Sequence, residues 1–250
     1  LLTGYDFAPE GLAAMPDGSF WVGEEFGPFL LHFDAEGRLM APPLSTPGVW
    51  AKENALHEGE ANHPSSGGYE GLARSIDGLT LYGLLEKTAE GDVPGPLRLY
   101  RIDPERGAFI EDVPFRRYPL SAEEGHYIGA LCALDEQRLA VVERDDFQGS
   151  EAAFKKVFVV DLEDHENGLL RKQELIDLLR IPDPVLLASE VEGARVSGSF
   201  AMPFVTIEGI ASLDEHTLVL CNDNNFPFSV GRHLRDGRPD DNEMILIHLR

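Results

Sequence analysis

The chain is poor in cysteine, poor in bases and without a long apolar run. Its 250 residues include two cysteines, Cys132 and Cys221. That count excludes a disulfide framework and a zinc site built from paired cysteines. Both lie in apolar runs and read as small buried residues. Two cysteines do not fix the redox compartment. No apolar run reaches the length of a membrane-spanning helix, so membrane insertion is not expected. No signal peptide opens the chain: LLTGYDFAPEG passes at once into patterned sequence, as a mature product or a fragment would. Lys and Arg number 21 against 44 Asp and Glu, a formal charge of -23. So few cations exclude nucleic acid as a partner, because phosphate backbones need Lys and Arg patches. The same excess of carboxylates suits divalent cations. A solubilising acidic surface has the same composition.

What is present is a repeat. The first copy reads PEGLAAMPDGSFWVGEEFGPFLLHFDAEGRL, from Pro9 to Leu39. The second reads YEGLARSIDGLTLYGLLEK from Tyr69, then RLYRIDPERG up to Gly107. The third reads YIGALCALDEQRLAVVERDD from Tyr127, then KVFVVDLED up to Asp164. The fourth reads IEGIASLDEHTLVLCNDNN from Ile207 and ends in EMILIHL. Each copy predicts a short strand, a tight turn, an apolar strand ending in acids and a third strand after a loop. Repeated meanders of this kind are the mark of propeller blades. We therefore expect an all-β fold, a β-propeller of antiparallel four-stranded blades. Four repeats are legible and five to seven blades are open. Residues 40–68 and 165–205 read as irregular, with a short helix at ELIDLLR ended by IPDPV. The whole chain, 1–250, reads as one domain.

The turns also predict where the acids go. Folding copy one about Asp17 and Gly18 sets Met15 against Phe20 and Glu10 against Glu25. The same folding sets Glu208 against Asp223, Glu70 near Glu86 and Ile128 opposite Glu143. Cross-strand partners lie about 5 Å apart. In a propeller the first strand of each blade lines the axis, and the same end of every hairpin lies on one face. Glu10, Glu25, Glu70, Glu86, Glu143, Glu208 and Asp223 are therefore expected to meet. So many like charges need raised pKa values or a cation. Hard oxygens with amide carbonyls nearby, from Asn222, Asn224 and Asn225, match calcium. The expected metal ligands are Glu10, Glu70, Glu208, Asp223 and Asn224. Glu25, Glu86 or Glu143 is the candidate general base, and Arg144, with Lys87, the anchor for an anionic oxygen. A salt bridge into the acid cluster is an equal role for Arg144.

Other chemistries find no motif. The nucleophile elbow G-x-S-x-G and the phosphate loop G-x-x-x-x-G-K are absent from the sequence. HEGEANH, from His57 to His63, spaces its histidines wrongly for a zinc helix and reads as a loop. His126 reads as a surface or core histidine near the channel mouth. Phe26, Phe29, Phe226 and Phe228 flank the acids, to pack between blades or to wall a pocket.

The segments Pro9–Pro28, Tyr69–Glu86, Val157–Asp164 and Thr206–Arg232, with the close DDNEMILIHL, resemble the phytase-like family with esterase-like activity. The resemblance implies a β-propeller, exported to the secreted or periplasmic space. It also implies hydrolysis of a small-molecule ester or phosphoester. The family's glycine-rich leading blade has no counterpart here, and Ile128 stands where the other copies have Glu. More distantly, Glu-Gly on a first strand looks like lactonase-type propellers with a channel calcium. The alternative is a non-catalytic ligand- or protein-binding propeller stapled by structural calcium. The oligomeric state is open.

Overall fold

The computed structural model describes residues 7–249 except 55, 56, 58, 122–124, 188–194, 197 and 198. The tight turns set the hairpins. In copy one the loop is Pro16-Asp17-Gly18, closed by Met15 N–H donating to the Ser19 carbonyl (2.9 Å). Gly18 has φ 88°, a left-handed conformation that costs glycine little. Asp17 accepts from the Ser19 N–H and hydroxyl (3.0 and 2.7 Å), fixing the turn.

Four antiparallel meanders result. The first is β1 (Pro9–Ala14), β2 (Phe20–Glu24), β3 (Phe29–Phe33) and β4 (Leu44–Ser45). The second is β5 (Tyr69–Arg74), β6 (Leu81–Leu85) and β7 (Pro96–Asp103), with β8 (Ala108–Phe109) and β9 (Arg116–Pro119) both on the outer edge of β7. The third is β10 (Tyr127–Ala133), β11 (Arg138–Arg144), β12 (Lys155–Glu166) and β13 (Leu169–Asp177). A two-stranded piece, β14 (Arg195–Val196) and β15 (Ser199–Phe200), precedes the fourth. That fourth meander is β16 (Thr206–Asp214), β17 (Thr217–Asp223) and β18 (Met244–His248). The first strands β1, β5, β10 and β16 pack side by side in that order. One parallel contact at the rim, Leu169 to Arg117, joins the second and third meanders. The fold is an all-β propeller, as the repeat predicts. Its fourth blade has three strands among the described residues.

Apolar cores fill three blade interfaces. Trp21, Leu30, Leu72, Leu81 and Ile102 lie between the first and second blades. Leu84, Leu99, Ile128, Leu131 and Val141 lie between the second and third. Val142, Met202, Ile207, Leu218 and Leu220 lie between the third and fourth. Glycines let the inner strands touch. A Cβ on Gly11 would stand 2.7 Å from the Leu72 Cβ, and one on Gly71 2.7 Å from the Leu131 Cβ. One on Gly129 would stand 2.3 Å from the Ile207 carbonyl oxygen.

Two expectations need correction. The register runs one residue off beside the turn, where Ala14 pairs with Phe20, and two residues off beyond the bulge, where Pro9 pairs with Glu24 and Thr206 with Asp223. The loop of copy one holds three residues, and every inner strand carries a bulge, between Pro9 and Leu12, Tyr69 and Gly71, Ile128 and Ala130, and Ile207 and Gly209. Ile128 does pair with Glu143. The helix expected at ELIDLLR is absent, because Glu174 and Gln173 pair with Phe158 and Val159 as the end of β13.

Candidate functional site

The bulges place the acids. Glu70 and Glu208 are the residues skipped by the ladder, and Glu10 lies inside the skipped pair Glu10-Gly11. A bulge re-aims a side chain and ends pairing. Here it turns each glutamate from a blade face towards the axis. Glu10, Glu70, Glu208, Asp223 and Asn225 line one cavity of about 470 Å³, with Gly129 in the place where the third blade has no acid.

A second group sits beside it. The carboxylate oxygens of Glu25, Glu70 and Glu86 lie within 4.8 Å of one another. One stretch of backbone holds all three. The Gly68 N–H donates to the Glu25 carbonyl (3.0 Å), and the Gly68 carbonyl accepts from the Glu86 N–H (2.8 Å). Glu70 follows two residues on, anchored by Tyr69, which is fully buried and accepts from the Thr46 hydroxyl (2.8 Å). Gly23 and Gly83 leave the room for Tyr69, since a Cβ on either would stand 2.7 Å from it. Ser66 donates to Glu25, and Lys87 lies 3.4 Å from Glu86.

The electrostatics follow from this crowding. Burial, then the charges of Glu86, Glu10 and Glu208, raise the Glu70 carboxyl from 4.5 to about 9. Burial, then Glu208 and Glu25, raise Glu10 to about 7. Burial also raises Glu86 and Glu208, against the pull of Lys87 and Arg144 on the first and Arg144 on the second. Arg144 is the main counter-charge. Its side chain is 9% exposed, Nη2 lies 3.8 Å from Glu208 Oε1, and Nη1 pairs with Asp146. Its Nε–H is buried with no hydrogen-bond partner. Buried donors are rarely left unpaired.

The family can now be stated: residues 2–226 match the family described as phytase-like, esterase-like activity of phytase. The chain belongs to that family. A secreted, uncharacterized protein of Arthroderma benhamiae is 30% identical over 114 residues, which is 37% of this chain and 22% of that protein. The chain therefore spans about a fifth of that relative's length. Among solved structures, the β-propeller domain of Myceliophteria thermophila Cps50 aligns with all of this chain and 60% of its own, at 9% identity and a TM-score of 0.44. A luciferin-regenerating enzyme aligns with 99% of this chain and 62% of its own, at 15% identity and a TM-score of 0.49. No helix among the described residues is long and apolar enough to cross a membrane.

The residues singled out from the phytase-like sequence divide clearly. Glu10, Glu70, Glu208 and Asp223 come together, with Glu25, Glu86 and Arg144 beside them. Glu143 and Asn224 do not join. Glu143 is fully buried away from the axis, accepting from Tyr118 (2.6 Å), from the Ser121 hydroxyl (2.5 Å) and from Lys172. Asn224 turns back to accept from the Phe226 N–H (3.2 Å), and Asn225 takes the place at the cavity. Asn225 has φ 43°, the left-handed turn that swaps the two. Asn222 clasps β17 to the segment before β18 through Asp241 and Glu243. His126 stacks on Phe154 at 4.0 Å, and His57 stacks on Trp50 at 3.9 Å. His63 bridges the carbonyls of Pro64 and Lys87 (3.1 and 3.2 Å). Glu58 of the same stretch lies outside the described residues. Of the four phenylalanines, Phe29 is buried, while Phe226 and Phe228 are 71% and 82% exposed beside the cavity loop. The sequence offers Asn225 only as a nearby amide, because its left-handed turn leaves no strong mark there.

Proposed function

We propose that the chain is a calcium-dependent hydrolase of esters or phosphoesters, working at the axial mouth. The observation that carries this is the convergence of Glu25, Glu70 and Glu86 within 4.8 Å, next to a buried Arg144 whose Nε–H has no partner. The donors fit the ion: they are hard oxygens, in a group whose charge Lys87 and Arg144 offset only in part. Glu25, Glu70 and Glu86 hold the ion, with Glu10, Glu208, Asp223 and Asn225 around the adjoining cavity. Calcium there supplies a Lewis acid for a phosphoryl or carbonyl oxygen and an acidified water. Arg144 offers a fixed cation to a developing oxyanion, in a site where water screens it little. Glu10, at the open rim and raised to about 7 by burial and its acidic neighbours, would serve as the general base. The secreted relative supports export.

The test is a panel of chromogenic carboxylate and phosphate esters with calcium and with chelator. Calcium-dependent turnover of at least one class is the expected result. Bound calcium with no turnover of any ester sinks the enzyme reading. That outcome favours a second reading, in which the ion is a staple. Glu25 belongs to the first blade and Glu70 and Glu86 to the second, so an ion among them ties two blades together.

A further inference from the structure

A buried cation beside the mouth has no part in the site described above. Lys155 opens β12, is fully buried and stands across the ladder from Arg144. Its ammonium lies 2.8 Å from Asp145 Oδ1 and donates to the carbonyls of Asp145 (2.5 Å) and Val205 (2.8 Å). An ammonium has three protons, so these acceptors use all of them. They come from two stretches of chain. Asp145 directly follows Arg144 at the end of β11. Val205 directly precedes β16, whose bulge carries Glu208. One side chain therefore ties the backbone beside Arg144 to the backbone leading to Glu208, across the joint of the third and fourth blades. The Asp145 end is anchored in turn. Its carboxylate accepts from the N–H groups of Phe147 (3.3 Å), Ala153 (2.9 Å) and Phe154 (2.8 Å), and its own N–H donates to the Phe154 carbonyl (2.9 Å).

Arg144 has little else to hold it. It stands 3.8 Å from Glu208, too far for a direct hydrogen bond, and its partner Asp146 is exposed. We propose that Lys155 is the positioning residue for Arg144: by holding the two carbonyls together, its ammonium fixes how the guanidinium faces the acids of the mouth. A purely packing role explains the lysine poorly. Burying an ammonium is costly, and an apolar side chain of similar volume joins two blades at least as well. What an apolar side chain lacks is the means to grip two carbonyl oxygens and a carboxylate at once. The effect on turnover rests on the hydrolase reading above; the placement of Arg144 does not.

The experiment compares the whole chain with Lys155→Met and Lys155→Arg in two ways. The first is turnover of p-nitrophenyl acetate and p-nitrophenyl phosphate in calcium, counted per folded molecule. Lys155→Met should lower kcat about ten- to a hundredfold, as a misplaced group does, with KM little changed. The second is modification of arginine by phenylglyoxal, located by peptide mass. Arg144 should react several times faster in Lys155→Met, while Arg98, paired with Asp92 in the second blade, keeps its rate. Lys155→Arg, which keeps a cation with several donors, should recover most of both readouts. A folded Lys155→Met protein whose Arg144 reacts at the parent rate overturns the proposal, whatever its stability or activity. If Lys155→Arg behaves as Lys155→Met does, the cation is not what holds Arg144, and the proposal falls. Where Lys155→Met does not fold, Lys155→Gln, which keeps a donor, is read in its place. If neither folds, Lys155 holds the whole fold rather than Arg144, and the proposal is overturned. If Arg144 is loosened and kcat is intact, the placement stands and Arg144 drops out of the hydrolase reading. If neither substrate is turned over by the parent, that reading fails and the phenylglyoxal rates alone decide the proposal.

Discussion

Glu70→Gln gives the sharpest test of the crowded acids. In the folded chain without metal, burial and like charges raise Glu70 from 4.5 to about 9. The unfolded chain ionises near the ordinary value. Between those two values the folded state holds one more proton than the unfolded state. Stability therefore falls as pH rises through that window, the reverse of an ordinary ion-paired carboxylate. At pH 7 the penalty is about 3 kcal/mol, from roughly 1.4 kcal/mol per unit, and water at the mouth screens part of it. Glutamine mimics the protonated form and carries no such penalty. In chelator at pH 7 the variant should melt above the parent by up to about 6–12 °C, at about 2–4 °C per kcal/mol for a chain of this size. At pH 5 the two should nearly coincide. Calcium reverses the order of gains. At a hundred times its Kd it adds about 2.7 kcal/mol to the parent, and the variant, short of one ligand, should gain much less. Melting curves at pH 5, 7 and 8.5, in chelator and in calcium, read all of this. A variant that melts below the parent in chelator at pH 7 would falsify the claim that Glu70 is held against its own charge.

Three further outcomes separate the parts. Glu143→Ala empties a fully buried position and leaves half-buried Lys172 without its carboxylate, so it should cost about 3–5 kcal/mol in denaturant titration while the calcium-induced rise in Tm persists. Loss of that rise would move Glu143 back into the site. Gly129→Ala puts a methyl 2.3 Å from the Ile207 carbonyl and should destabilise by about 1–3 kcal/mol by thermal melting. A neutral result would mean the inner strands pack less closely than described. Arg144→Lys keeps the charge but loses the planar fork, so ester kcat should fall about tenfold or more with calcium affinity little changed, by calorimetry. Equal activity in the two proteins would leave Arg144 a salt-bridge partner only.

Much of this was legible in the sequence, for a local reason. A propeller writes its plan in a repeat, and the first, second and third strands of all four copies fell where the repeat put them. The convergence of Glu10, Glu70, Glu208 and Asp223 followed from the plan rather than from register. The register itself was misread, because the extra turn residue at Pro16 and the bulges at the Glu-Gly pairs leave period-two alternation almost untouched. The roles of Glu25 and Glu143 were not separable from their positions. Both end a second strand. Glu25 lies beyond the ladder and is free to turn inward, whereas Glu143 is still paired with Ile128 and points into the interface where Lys172 arrives from β13. That lysine comes from the stretch 165–205, which reads as irregular, so its meeting with Glu143 depends on a strand pairing that local pattern does not show. Asn224 and Asn225 are likewise alike in sequence, and only the left-handed turn at the second distinguishes them.

The glycine at position 129 has a consequence for direction. Of the four inner strands among the described residues, three present a carboxylate and one presents bare backbone, with the guanidinium of Arg144 on that same blade. The field among these strands is therefore lopsided, repelling at three of them and attracting at the one that carries Arg144. A group bearing a partial negative charge has a single low-energy bearing from which to arrive, and whatever it is attached to must extend towards the opposite side.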